Sequence, residues 1–263
     1  MNRYKYLILI LLMLTSAACA TTKTISIAEF EQQVYQRTNY ERRLHGLPNL
    51  AYDKGLADLA RRHSQNMLAG NFFAHEDMEG LDVAGRKDKY YPALYVTSIG
   101  ENLAYHMIGD KVFSPIDVVT GLMNSPPHRE NILNPDYTYI GVGVVVKGDK
   151  LYTTQNFAQP LFKQLTPLPK KAKQTQTYTM EFEYMGIQDP AKLQAILKVP
   201  DPKTEVPIGG NLVQIGSEPR QILWLDAKRF RVNLDFKYGK GKYELRFGFD
   251  DSYYQDGFIF KVK

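Results

Sequence analysis

The chain predicts an α+β protein in two parts: helices packed on an antiparallel sheet, then a small all-β sandwich. Three observations carry this prediction. Residues 27–163 run helix, helix, loop, helix, hairpin, with apolar spacing that switches from helical to strand-like. Residues 178–263 instead hold runs of period-two alternation separated by turn residues. Between them "QLTPLPKKAKQTQT", 164–177, carries two prolines and three lysines and reads as a linker.

The N-terminus comes before either part. Arg3 and Lys5 precede an unbroken apolar run, Leu7 to Leu14, and then "TSAAC". Residues 1–19 read as a signal peptide whose apolar run is too short to span a bilayer, with 20–26 as a tether. "TSAAC" resembles a bacterial lipobox, which makes Cys19 the expected lipidation site and the expected link to a membrane; Ser16 stands where leucine is commoner. The alternative is simple secretion, with Cys19 lost alongside the peptide. No cysteine follows, so neither part has a disulfide to lean on.

The first helix starts at Ser26 with Glu29 three residues on, a capping box, and keeps Ile27, Phe30 and Val34 at helical spacing until Gly46 and Pro48. A second helix follows Asp53, with Leu56, Leu59, Ala60, His63 and Met67 on one face. His63 therefore reads as a hydrogen-bonded core histidine. A third begins at Ser114-Pro115 and carries Ile116, Val119, Leu122 and Met123 until two prolines end it. "YIGVGVVV", "KGDK" and "LYTTQNFA" form a hairpin in which Gly141 and Gly143 share a face and leave room for a close neighbour.

In the second part "YTMEFEYMG", "QILWLDA", "RFRVNLDFKYG", "KYELRFGFD" and "GFIFKVK" are strands, and "DPAKLQAIL" is read as a helix. Trp224, the single tryptophan, is assigned to the core. The aspartates of "FDDSYYQDGF" lack EF-hand spacing and are read as turn residues.

At 263 residues, 44% apolar and 23% charged, the composition is that of an ordinary globular protein. The net charge of +5 lies in residues 161–263, with 17 Lys+Arg against 12 Asp+Glu. With no basic stripe and no RNA-binding motif, this is a solvated surface, and no nucleic-acid partner is expected.

Three polar residues draw attention. His75 lies in "NFFAHED", Glu101 in "SIGENLAYH" and His128 in "NSPPHRENIL", where Pro126 and Pro127 stiffen the approach to the histidine. Each alone reads as a surface histidine, a helix-capping glutamate or a loop histidine, and spacing does not join them. Taken in order, however, "NYERRLHGLPNL", "LARRHSQNM", "FFAH", "GENLA", "NSPPHRENIL" and "QNF" closely resemble the CAP superfamily (cysteine-rich secretory, antigen 5 and pathogenesis-related proteins) in its bacterial SCP-like form. The resemblance covers about residues 27–160.

It implies an α-β-α sandwich over 27–163, with the β-sandwich at 178–263 as an addition. It also implies a cleft in which His75, His128 and Glu101 meet and hold a divalent cation, usually zinc. Two imidazoles, one carboxylate and an open position suit that ion. Leu122 stands where the family often has tryptophan, Ser125 is at or near the place of a second glutamate, and proline-proline replaces proline-glycine before His128. Asn102, Ser125 and Arg129 are expected to support the site, Asn102 and Arg129 by holding loops through hydrogen bonds.

The resemblance favours a binding module over an enzyme, taking a lipid or other apolar ligand or a surface partner, with "KYYPALYV" (89–96) either lining a groove or simply packing. The β-domain is a second candidate for docking a protein. The alternative is a metal-dependent hydrolase using Glu101 and a metal-bound water. Against it stand the lack of an HExxH helix and of a nucleophilic cysteine; Ser64 and Ser125 have no evident orienting aspartate. The expected location is the cell envelope, lipid-anchored or secreted.

Overall fold

The computed structural model describes residues 26–107, 114–167, 169, 171–254 and 257–263. The leader, Cys19 and nearly all of the tether lie outside the described residues.

Helix α1 (Ile27–Leu44) opens on the predicted capping box, Ser26 Oγ accepting from Glu29 N and Glu29 accepting from Ser26 N. At its far end Arg42 is fully buried and donates to the carbonyls of Pro48, Ile132 and Asn134 at 2.9, 2.8 and 2.8 Å. One side chain thus ties the helix end to two later segments. Helix α2 (Lys54–Gly70) is capped by Asp53 and closes at Asn71, whose φ of 50° is the left-handed helix stop. Helices α3 (Val83–Tyr90), α4 (Pro115–Asn124) and α5 (Pro126–Leu133) follow.

Between the helices lie β1 (Ala51–Tyr52), β2 (Leu94–Met107), β3 (Tyr139–Lys147) and β4 (Lys150–Gln164). Strand β4 pairs antiparallel with β2 and with β3. The two faces of β3 explain the layers. Ile140, Val142 and Val144 enter a cluster with Phe30, Val34, Val118 and Val119 of α1 and α4. Gly141 and Gly143 face the other way, and an added Cβ there would stand 2.1 and 2.0 Å from the backbone nitrogens of Ala57 and Arg61. The close neighbour expected from the sequence is the backbone of α2. Helices on both faces of the sheet make the predicted α-β-α sandwich.

Strand β4 then outruns β3. Its residues Phe162 to Gln164 pair with β5 (Tyr178–Tyr184), which pairs with β11 (Arg229–Leu234) and, through it, with β10 (Ile222–Trp224). One seven-stranded sheet therefore runs through both parts. Facing its far end is a second sheet of β6 (Leu193–Lys198), β9 (Ser217–Arg220), β12 (Gly241–Phe249), β13 (Ser252–Tyr253) and β14 (Phe258–Val262), flanked by the hairpin β7 (Glu205–Gly209) and β8 (Leu212–Ile215). The core between them is aromatic: Phe162, Phe182, Phe230, Phe247 and Phe258 are buried together. Phe162 belongs to β4, and Tyr95 of β2 stacks on it at 4.7 Å. The segment read as a linker is docked as well, since Ala172 is buried and bridges Val262 of β14.

Three local expectations change. "DPAKLQAIL" is one 3-10 turn, Pro190–Lys192, followed by strand β6. Leu193, Ala195 and Leu197 are its buried alternate residues, and pairing on both edges to β12 and β9 decides the matter over helix propensity. Trp224 is 37% exposed rather than in the core, because β10 is the last strand of its sheet. Glu101 caps no helix, since "SIGENLAYH" is the middle of β2. The packing expected of "KYYPALYV" holds for Leu94, which is buried, Tyr91, which packs over Gly55, and Tyr95, which joins the aromatic core; Pro92, Leu94, Tyr95 and Val96 also border a hollow of about 650 Å³ against β12 and β14.

Since the α2 backbone sits where a Cβ would go, Gly141→Ala should cost about 3 kcal/mol, read as a fall in ΔG of unfolding by denaturant titration.

Candidate functional site

The loop between α2 and α3 carries His75. Asp77 shapes it by accepting from the N–H groups of Glu79 and Leu81 at 2.9 and 3.0 Å. Arg86 of α3, its side chain 1% exposed, fixes the loop from below by donating to the carbonyls of His75 (2.6 Å) and Leu81 (2.7 Å). The same guanidinium donates to Oε2 of Glu101, and Glu101 Oε1 accepts from His75 Nδ1 at 2.9 Å. The glutamate side chain is 2% exposed, whereas His75 is 59% exposed. A buried cation thus neutralises a buried carboxylate, and that carboxylate orients an imidazole reaching into solvent.

Beneath this group is His63, fully buried on α2 as its place in the apolar stripe predicted. Its Nε2 lies 2.9 Å from the carbonyl of Ala74, just before His75, and 3.9 Å from Glu101 Oε1. Burial lowers its pKa.

His128 arrives from the opposite side, in the first turn of α5, which Pro126 and Pro127 begin. Asn102, fully buried beside Glu101 on β2, donates to the His128 carbonyl at 3.0 Å and to Gln155 Oε1 at 3.3 Å. Asn131 donates to the Glu101 carbonyl (3.2 Å) and to Asn102 Oδ1 (2.9 Å). Gln155 of β4 completes the chain by donating to Thr38 Oγ1 of α1 at 2.8 Å. Both segments are therefore tied to β2, the His75 loop through Glu101 and the start of α5 through Glu101 and Asn102.

His75 and Glu101 are in direct contact. His128 is close enough to His75 to feel its charge, which, after burial, is the second cause lowering the His128 pKa. Two expected supports do not serve that role: Ser125 caps α5 with its backbone alone, and the exposed Arg129 makes no side-chain hydrogen bond among the described residues. The prolines already fix the entry to α5, so neither is needed. Arg86, Asn131 and Gln155 were missed. Asn131 and Gln155 stand inside the quoted motifs "NIL" and "QNF", but Arg86 sits in "VAGRKDKY", a polar stretch with no apolar periodicity to mark it as interior.

The donor set bears on a metal. Both Glu101 oxygens are engaged, one by Arg86, so direct ligation would strip a buried arginine of its counter-charge. Among the described residues no group of three or more His, Cys, Asp or Glu is arranged to hold an ion. What does fit is outer support: His75 gives Nδ1 to a carboxylate and leaves Nε2 outward, the arrangement by which carboxylates orient metal-ligating histidines.

Two outcomes follow. Arg86→Ala leaves the Glu101 carboxylate buried without its partner and should cost about 3–5 kcal/mol in denaturant unfolding. In NMR titration the His75 ring should titrate above the ordinary 6.5, since its hydrogen bond to Glu101 raises its pKa, and Glu101→Gln should bring it down. The sign of the linkage is set by these shifts. The His75 contribution to stability is whole below 6.5 and is lost as pH rises through its raised value, while that of His63 is whole above 6.5 and is lost as pH falls toward its lowered one.

Known proteins are similar to the N-terminal part of the chain. The CAP family, described as the cysteine-rich secretory protein family, matches residues 35–157. Two Bacillus subtilis (strain 168) proteins are similar: the membrane protein YlbC, 35% identical over 127 residues (48% of this chain), and YkwD, 38% identical over 138 residues (51% of this chain). The matches span only 34% and 49% of those relatives' own lengths. An extracellular SCP-domain protein of Bacillus anthracis str. Ames is 33% identical, with a TM-score of 0.44, over 50% of this chain and 40% of its own. Residues 35–157, with their paired loops on one strand of an α-β-α sandwich, are a CAP domain.

Proposed function

We propose that the chain is an exported, lipid-anchored binding protein of the cell envelope, whose CAP site offers two imidazoles, His75 and His128, to a ligand, Zn²⁺ among the candidates. The observation that carries this reading is the double engagement of Glu101. A carboxylate held at both oxygens orients His75 and is not free to take a proton from water, which weighs against a hydrolase built on Glu101. The hollow that Leu94 and Tyr95 border is also lined by Lys87, Asp88, Lys242, Glu244 and Arg246, and these charges weigh against the 89–96 stretch as a lipid groove. Export and anchoring are supported by the positive start, the short apolar run and Cys19; the relative YlbC is named a membrane protein. No helix among the described residues is long and apolar enough to cross a membrane.

A divalent ion at this site would be held by His75 Nε2 and His128, and when bound it would supply Lewis acidity at its open positions. The chain's own part is to fix one ring through Glu101 and the other through the α5 backbone.

Zinc binding followed by elemental analysis and competition titration tests this. His75→Ala and His128→Ala should each abolish uptake, whereas Glu101→Gln should weaken it about 10- to 100-fold, the cost of losing an outer-shell partner. Equal, complete loss in all three variants would make Glu101 a ligand instead. Metal-dependent peptide turnover that vanishes in Glu101→Gln would restore the hydrolase.

A further inference from the structure

The exposure of the chain's single tryptophan sets a question separate from the CAP site. Trp224 is held from behind by Tyr184, edge to face at 5.9 Å, and by Phe230 at 5.1 Å. Its indole N–H has no partner among the described residues. The ring is fixed, yet 37% exposed, beside a groove of about 830 Å³ that it shares with Tyr253, Gln194, Gln214, Arg220 and Asp251. Those residues come from both sheets and from the β7–β8 hairpin.

The polar side chains are fixed in advance. Gln194 and Asp251 bond reciprocally, the Gln194 amide donating to Asp251 Oδ1 at 3.3 Å and its oxygen accepting from the Asp251 N–H at 3.0 Å. Gln214 donates to Ser217 at 2.8 Å. Asp250 and Asp251 form the tight turn from β12 to β13 with φ of 47° and 62°, a left-handed pair for which glycine or asparagine is usual. That strain is retained where neighbours over-determine it, as Gln194 does here. Arg220 is countered by Glu218 at 2.6 Å and by Asp235 at 2.5 Å.

The chemistry narrows the occupant. With Arg220 already neutralised and Asp251 on the rim, the groove holds no free positive charge to attract a phosphate or an acidic polymer. An acyl chain would cover the charge of Asp251 and the amide donors and acceptors that these bonds leave unused, at a cost. A ligand with flat C–H faces for the indole and phenol and many neutral hydroxyls for the amides matches both halves of the lining. We propose that this groove binds a neutral oligosaccharide, with Trp224 and Tyr253 as stacking platforms and Gln194, Gln214 and Asp251 as hydroxyl partners.

Since Trp224 is the single tryptophan, its emission reports on this groove alone. The full chain would be titrated with cellohexaose, chitohexaose, laminarihexaose and mannohexaose, and with an acidic oligogalacturonide. A saturable emission change with at least one neutral sugar is expected. Calorimetry should then show affinity falling about tenfold in Tyr253→Ala and in Gln214→Ala, surface changes that leave the melting temperature in place, and vanishing in Trp224→Ala. Silence with all four neutral sugars overturns the proposal. So does equal or tighter binding of the acidic sugar, or affinity unchanged in Tyr253→Ala and Gln214→Ala.

Discussion

Strand β4 is hydrogen-bonded to β2, β3 and β5, and eleven of its fifteen residues are buried. It is the constraint on which both halves depend. Its first part carries Thr153, Thr154, Gln155 and Asn156, all fully buried, and the last three reach α1, α2 and β2 from the centre of the sheet. Its last part delivers Leu161 and Phe162 into the aromatic core of the β-sandwich. A buried polar network tolerates little slippage, because an unmatched member costs more than a matched one gains. Register in the CAP sheet is therefore passed along one backbone to the sandwich.

The site follows from the same strand. Glu101 and Asn102 stand opposite Asn156 and Gln155 in the β2–β4 pairing, so the register that buries the network also sets the height at which the two histidine loops are caught. Arg86 supplies what this arrangement lacks, a charge to match a carboxylate 2% exposed. Two side chains of the interior thus decide where two rings at the surface point.

The sequence made legible whatever repeats or caps. The Ser26 box, the α2 stripe with His63 inside it, the paired glycines of β3 and the period-two strands are local signals, and the fold keeps them. The CAP resemblance supplied what spacing could not, a link between distant segments, of which the structure shows His75 in contact with Glu101 and the His128 backbone held by Asn102. Long-range charge pairing stayed hidden: nothing in "VAGRKDKY" marks Arg86 as interior, since its partners lie on a strand and a loop outside the helix. Leu193–Lys198 was misread because its alternation is brief and alanine and leucine also favour helices; its two strand neighbours, distant in sequence, settle it. Trp224 was misplaced by its size, which says how much surface it covers but not at which edge of a sheet it stands.

The peptide groups of α2 touch the sheet at Gly141 and Gly143 with no side chain between them. A gap set by main chain cannot be widened by exchanging one residue for another on the helix. The floor that His63 forms under Ala74 and Glu101 is to that extent a fixed datum. Changes in what the site admits must then come from those residues of 71–82 and 125–131 whose side chains are not tied to the strand and helix beneath them.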